Sequence, residues 1–371
     1  MAIRGGAVEN MVRLPRCGRP GSLDGLRGLS VFITGHTGFK GAWLTLLLSQ
    51  LGARVSGYAL APATVPNLFG LAGIEDTMVS HTVGDIRDAG TLRTAMRAAR
   101  PELVLHLAAQ PLVRESYRDP LATWSTNVTG TANVLDAIRA CDTVRAAVVV
   151  TTDKCYENKE WPWGYRETDA LGGHDPYSAS KAASELVAAS YRHSFLDRAG
   201  VLLATARAGN VIGGGDWSAD RLIPDAARAA AAGATLSIRH PHATRPWQHV
   251  LEALYGYLQL ASRLLAGERD VATAFNFGPA NTDNVSVGTV LSGLQRHWPE
   301  LQWAHHPQAG APHEAGLLML DCARAGHMLA WRPRWPLEQA LARTAEWYRR
   351  VQREPGLARA MCEQQIEAYF A

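Results

Sequence analysis

Lysine is nearly absent from this chain. Only four of its 37 basic residues are lysine (Lys40, Lys154, Lys159 and Lys181), and the rest are arginine. An ammonium is more compact than a guanidinium and can give up its proton, so so biased a chain is expected to keep lysine where arginine cannot serve. Cysteine is also scarce: Cys17, Cys141, Cys155, Cys322 and Cys362 are an odd number, widely spaced, with no CxxC. That argues against a disulfide framework or zinc site and for a reducing, cytoplasmic compartment. No apolar run reaches the ~18 residues of a membrane helix; the longest, from Ala42 to Leu48, is interrupted by Thr45. Nor is there a large charge of one sign. The balance of 37 basic and 34 acidic residues is +3, which gives no footprint for nucleic acid or a membrane surface. His36, His106 and His249 lack metal-ligand spacing and read as structural or solvated, so no metal is expected.

What is present is a core. Apolar residues make up 47% of 371, enough for two domains or one large α/β domain. Residues 1–27 carry Arg4, Arg13, Arg16, Arg19 and Arg27 without an apolar stretch, so they do not read as a signal peptide. They are expected to form a disordered extension, or to come from a start codon placed upstream of Met11. From Leu29 the chain alternates. Leu29 to Thr34, Arg54 to Leu60, Leu103 to Ala108, Ala146 to Thr151, Val201 to Arg207 and Ala274 to Phe277 read as strands. Ala42 to Leu51, Thr91 to Ala99 and Thr129 to Ala140 read as helices between them. This predicts a Rossmann-like, doubly wound parallel sheet. Residues 28–207 with 246–277 are assigned to it, and 208–245 with 278–371 to a smaller C-terminal substrate-binding lobe.

Three constellations carry chemistry. Gly35-His36-Thr37-Gly38-Phe39-Lys40-Gly41 is a GxxGxxG between a strand and a helix, where glycines let a pyrophosphate approach the helix N-terminus. In a Gly-rich chain the alternative is a plain turn. The next strand ends Gly57-Tyr58-Ala59-Leu60 with neither acid nor arginine, so this position does not choose between NAD and NADP. Tyr177-Ser178-Ala179-Ser180-Lys181 is a YxxxK whose ends share a helix face. A lysine there would lower the phenol from its usual ~10 and make a base; the alternative is a surface pair. Thr151-Thr152-Asp153-Lys154 follows an apolar strand, just past the carboxyl end where such folds bind ligands.

Together these resemble the extended short-chain dehydrogenase/reductase superfamily of nucleotide-sugar enzymes. GHTGFKGAWL from Gly35, TDKCYENKEWPWGYRE from Thr152, GGHDPYSASK from Gly172, RAGNVIGGGDWSADRLIPD from Arg207 and TRPWQHV from Thr244 are similar to the CDP-glucose 4,6-dehydratases. The likeness runs from Ser30 to about Tyr348. It implies NAD as cofactor, CDP-glucose as substrate and a homodimer or dimer of dimers, paired through helices around Asp119 to Ala140 and Pro176 to Ser190. Tyr177 would take the C4 hydroxyl proton, Lys181 would hold the phenolate and Thr152 would bond the same oxygen. Asp153 would protonate the departing C6 hydroxyl. Lys154, where dTDP-glucose enzymes carry glutamate, would be the C5 base, crowded by Lys181 and Lys159, or else an ion-pair partner of Asp153 or Glu157.

The resemblance places the cofactor on Gly35, Thr37, Gly38, Phe39, Lys40 and Gly41, on Asp85 and Ile86, on Leu107, Ala108, Ala109 and Gln110, and on Tyr177 and Lys181. Asp85 reads equally as a helix cap. Substrate contacts would be Gln110, Glu115, Tyr156, Asn210, Arg221, Leu222, Arg245 and Asn276, with Pro241 or Trp247 stacking on the base or lying in the core. The alternatives are another nucleotide-sugar dehydratase or 4-epimerase, or a non-catalytic nucleotide-sensing homologue.

Overall fold

Both faces of a parallel strand are covered in an α/β protein, so its residues are mostly apolar. Six runs are mostly buried in this way, and a seventh strand joins them at an edge. The computed structural model describes residues 23–280, 283–306 and 316–371. Its main sheet holds β1 (Ser30–Thr34), β2 (Arg54–Ala59), β3 (Ser80–Val83), β4 (Leu103–His106), β5 (Ala146–Val150), β6 (Leu202–Ala208) and β10 (Ala274–Phe277). Every pairing is parallel, in the order β10-β6-β5-β4-β1-β2-β3. The order reverses between β1 and β4, so the carboxyl ends of these strands flank a crevice. Val31, Ile33, Leu103, Leu105 and Val148 join one buried cluster, and Phe32, Val104, Ala147 and Val149 the other. This is the expected doubly wound fold. The edge strand β3 was not legible, because Ser80-His81-Thr82-Val83 is half exposed and carries no apolar run.

Two small sheets complete the chain: β7 (Asn210–Ile212), β9 (Thr244–His249) and β11 (Asn284–Ser286), and β8 (Thr235–Ile238) with β12 (Gln302–His305). One core runs unbroken from the main sheet into this region, through Trp247, Trp331, Trp335, Trp347 and Tyr348.

The sequence reading of residues 1–27 needs correction at its end. Residues 1–22 lie outside the described residues, but Leu23 and Leu26 are buried in the main core and Asp24–Leu26 form a 3-10 turn. Their spacing of three puts both on the inner face of that single turn.

Candidate active site

The glycine-rich turn is shaped by close approach. Gly35 has φ +80°, and a Cβ there would lie 2.6 Å from Ala108 N. At Gly41 a Cβ would come within 2.1 Å of Gly35 O, so helix Phe39–Gln50 packs directly on the turn. Gly38 differs. It is exposed at the helix N-cap, and a Cβ would meet nothing nearer than Gly35 O at 3.5 Å. Open space in front of the unbonded first-turn N–H groups is what a diphosphate requires. The residues present therefore fit a dinucleotide.

Thr37 closes this turn by donating to Leu60 O (2.8 Å), while Leu107 N and Ala108 N, leaving β4, donate to Thr34 O and Thr34 Oγ1 (3.0 and 3.3 Å). Phe39 opens the helix against the core. At the β2 end Tyr58 is fully buried, donating to Asp85 O at 3.0 Å. The Asp85 carboxylate accepts from Arg87 at 2.6 and 2.9 Å, which holds it below the usual carboxylate range. The helix cap is Asp88, bonded to Gly90 N and Thr91 N. Ile86 is buried against Gly130. Ala109 and Gln110 follow on the same loop, and Asn127 fixes Gln110 through its backbone N–H (2.8 Å) and carbonyl (3.1 Å).

The candidate catalytic groups converge past β5. Thr152 donates to Asp153 Oδ1 at 2.9 Å and accepts from Lys154 N at 3.3 Å. Asp153 is 1% exposed, and its Oδ2 is buried without a hydrogen-bond partner. Gly209 lies against that oxygen: a Cβ there would stand 3.1 Å from Oδ2 and 2.4 Å from Pro246 Cγ. Burial raises the Asp153 pKa, against the pull of Lys154, the Thr152 hydrogen bond, Arg245 and Lys40. Helix Pro176–Tyr191 brings up Tyr177 and Lys181, with Pro176 in its first turn and Asp175 as cap, accepting from Ser178 N at 2.9 Å. Both side chains are buried.

One expectation fails here. Burial pushes the Tyr177 phenol up to about 12, with Thr152 and Arg221 pulling it down and Asp153 and Asp175 adding to the rise. The Lys181 ammonium donates instead to Val150 O at 3.1 Å, and burial lowers it to about 8 despite Glu185 and Cys155. The protein by itself holds Tyr177 as a neutral phenol, because desolvation of the phenolate outweighs the nearby cations. Lys40, partly buried, is lowered to about 8 by desolvation first and then by Arg221, with Asp153 opposing. Lys159 does not crowd Lys154: it is half exposed, 3.5 Å from Glu157 and stacked on Trp161.

The expected substrate contacts divide. Arg221 lies at the crevice, 3.1 Å from the buried Asp216 carboxylate, and Leu222 opens the helix that follows. Arg245 donates to Thr244 O at 2.7 Å, and Asn210 is half buried on β7. Glu115 pairs with Arg118 at the surface (2.9 Å). The Gln110 amide is used within its loop, donating to Thr123 and Leu112 O and accepting from Leu112 N. Tyr156 and Asn276 are corrected. They are 1% and 0% exposed and bonded to each other at 2.6 Å, so they offer no surface to a ligand. Trp247 and Pro241 are buried, which leaves them in the core.

His36, His106 and His249 are all buried, so none is solvated. His106 bridges Thr34 and Thr131, and His36 meets His81 at 2.6 Å. Among the described residues no group of side chains could hold a metal ion. Sequence reasoning missed Glu185, Arg207, Asn127 and Gly209. Glu185 was signalled by its position four residues after Lys181, on the same helix face.

A Rossmann sheet with a glycine-rich turn after its first strand, Thr and Asp past the end of β5, and Tyr and Lys one turn apart on a helix beside them defines a short-chain dehydrogenase/reductase of the extended type. Within that class the chain belongs to the family described as GDP-mannose 4,6 dehydratase, which residues 32–344 match. It is 47% identical over 329 residues to the CDP-glucose 4,6-dehydratase of Salmonella typhimurium, covering 87% of this chain and 91% of that protein. Identity to the dTDP-glucose 4,6-dehydratase of Streptomyces antibioticus is 29% over 337 residues (86% and 92% covered). Among solved structures, the epimerase Mth375 of Methanothermobacter thermautotrophicus superposes with a TM-score of 0.77 at 21% identity, over 90% of this chain and 96% of that one. That likeness shows the fold alone. MoeE5 in complex with UDP-glucuronic acid and NAD matches with a TM-score of 0.72 and 25% identity, over 87% and 99%.

Proposed function

We propose that the protein is a CDP-glucose 4,6-dehydratase, a hydro-lyase that uses NAD to turn CDP-D-glucose into CDP-4-dehydro-6-deoxy-D-glucose and water. The observation that carries this reading is the Asp153 carboxyl, with one oxygen bonded to Thr152 and the other buried and unpartnered. Burial raises the pKa of this carboxyl, the direction that suits it to donate a proton to a leaving hydroxyl. Epimerisation at C4 loses no water and has no use for such an acid. The 47% identity to a CDP-glucose enzyme supports cytosine as the base.

Gly35, Thr37, Gly38, Phe39, Lys40 and Gly41 would hold the NAD diphosphate, and Asp85 and Ile86 the adenine. The loop from Leu107 to Gln110 would lie beneath the nicotinamide half, with Tyr177 and Lys181 beside it. When bound, NAD supplies the hydride acceptor at C4 and the donor at C6. Tyr177 is assigned the C4 hydroxyl proton; to take it the phenol must first ionise, which the Thr152 hydrogen bond and Arg221 favour and the positive charge of bound NAD would favour further. The resulting ketone acidifies C5–H, and Lys154 is assigned as the base that removes that proton. Asp153 protonates the C6 oxygen, which leaves as water. The base then returns a proton to C5. Arg221 and Arg245 offer guanidinium forks to the substrate diphosphate.

A second copy is proposed to cover Leu121 and Trp124, 80% and 40% exposed on helix Pro120–Trp124, and Leu186, 61% exposed on the helix that carries Tyr177. No helix among the described residues is long and apolar enough to cross a membrane, and the free thiols suit a cytoplasmic enzyme. The test is incubation with CDP-, dTDP- and UDP-glucose, reading the alkali-induced absorbance of a 4-keto sugar. The reading expects product from CDP-glucose with NAD, and little with NADP after the cofactor is stripped. Product from another nucleotide sugar at a higher rate, or equal rescue by NADP, would overturn it.

A further inference from the structure

Behind the reacting groups lies a buried ion pair that the chemistry above does not use. The side chains of Arg207 and Glu185 are 4% and 3% exposed. Arg207 Nε and a terminal nitrogen donate to the two carboxylate oxygens at 3.0 and 2.9 Å. Glu185 also accepts from Thr151 Oγ1 at 2.5 Å and Thr205 Oγ1 at 2.6 Å. Each partner reaches a different part of the site. Glu185 stands one turn beyond Lys181 on the Tyr177 helix, and Thr151 immediately precedes Thr152 and Asp153. Arg207 goes on to donate to Tyr156 OH at 2.9 Å, just past Lys154, and Tyr156 donates to Asn276 at 2.6 Å.

We infer that Glu185, with Arg207, is a positioning pair that clamps the helix bearing Tyr177 and Lys181 to the strand end bearing Thr152 and Asp153, and sets the charge that Lys181 carries. Its catalytic consequence rests on the function proposed above. A buried ion pair is weak evidence for stability, since apolar replacements often fold as well. Its value here is geometric: four hydrogen bonds on one carboxylate tie β5, β6 and the helix together where a displacement of ~1 Å costs about 10²-fold in rate. It is also electrostatic. Lys181 faces Glu185 from its own helix, Cys155 from the turn after β5, Lys40 from the glycine-rich helix and His106 from β4. Glu185 is the strongest of these in favouring the ammonium, against the burial that lowers it.

The scarcity of lysine makes the test direct. Lysine-selective 13C labelling gives four side-chain Cε signals, and the one lost in Lys181→Arg is Lys181. Its titration is followed in wild type, in Glu185→Gln, and in Glu185→Leu/Arg207→Met, which removes both charges and protects against misfolding around a lone arginine. The wild-type midpoint is expected near 8 and the variants at least about one pH unit lower. With CDP-glucose, kcat at pH 8 should fall about 10²-fold while KM stays within about threefold. A folded variant with an unmoved Lys181 midpoint and wild-type kcat overturns the inference and leaves the pair structural. If wild type fails to turn over CDP-glucose, the proposed function falls, while the Lys181 midpoint still decides the clamp.

Discussion

Thr152 and Asp153 share a hydrogen bond of 2.9 Å that engages one carboxyl oxygen and leaves the other, walled by Gly209 and Pro246, without a partner. Burial raises the Asp153 pKa, which is the direction that the proposed role as acid requires. Separating the two halves of the reaction tests it. Asp153→Asn keeps size and hydrogen bonding but has no proton to deliver, so C4 oxidation should survive while elimination slows by roughly 10² to 10⁴. In a single turnover with CDP-glucose, NADH absorbance at 340 nm should build up and persist, whereas wild type shows almost none. Product release at near wild-type rate would remove Asp153 from the acid's role.

Lys154 makes a distinct prediction. As the C5 base, its replacement in Lys154→Met should stop solvent deuterium from entering C5 and lower kcat by about 10² or more. Mass spectrometry of product formed in heavy water reads this. Exchange at the wild-type rate would return Lys154 to an ion-pairing role beside Asp153.

The glycine-rich turn predicts a contrast. Gly41→Ala drives a Cβ to 2.1 Å from Gly35 O and should lower Tm by roughly 5–10 °C. Gly38→Ala meets no atom nearer than 3.5 Å, so Tm should hold while NAD affinity drops about tenfold or more. Equal effects of the two on Tm, with NAD binding untouched in Gly38→Ala, would contradict the cradle.

For assembly, Leu121→Arg with Leu186→Glu should turn a dimer into a monomer by light scattering at micromolar concentration, because both side chains are more than half exposed in the single chain. A wild-type mass equal to one chain would refute the dimer outright.

The motifs were legible because their chemistry is local. Gly35, Gly38 and Gly41, or Tyr177 and Lys181, are set by turn geometry and helix spacing within seven residues. Continuous apolar runs such as Leu29 to Thr34 and Ala146 to Thr151, alternating with helical patterns, likewise made the parallel sheet readable. Long-range placement was not. Tyr156 and Asn276 lie 120 residues apart, and nothing in either neighbourhood announces that they bond to each other rather than to a sugar. Leu23 and Leu26 looked like part of a tail until the core formed over them.

The sequence by itself determined which groups exist and their local order: a diphosphate turn, a phenol and an ammonium one helical turn apart, and a Thr-Asp-Lys at a strand end. Only the tertiary structure decided their protonation. Tyr177 is a neutral phenol, Lys181 sits near 8 and Asp153 is raised, because each shift comes from desolvation and from charges brought in by other elements. Burial depends on what packs above a residue, and that is fixed by the fold as a whole.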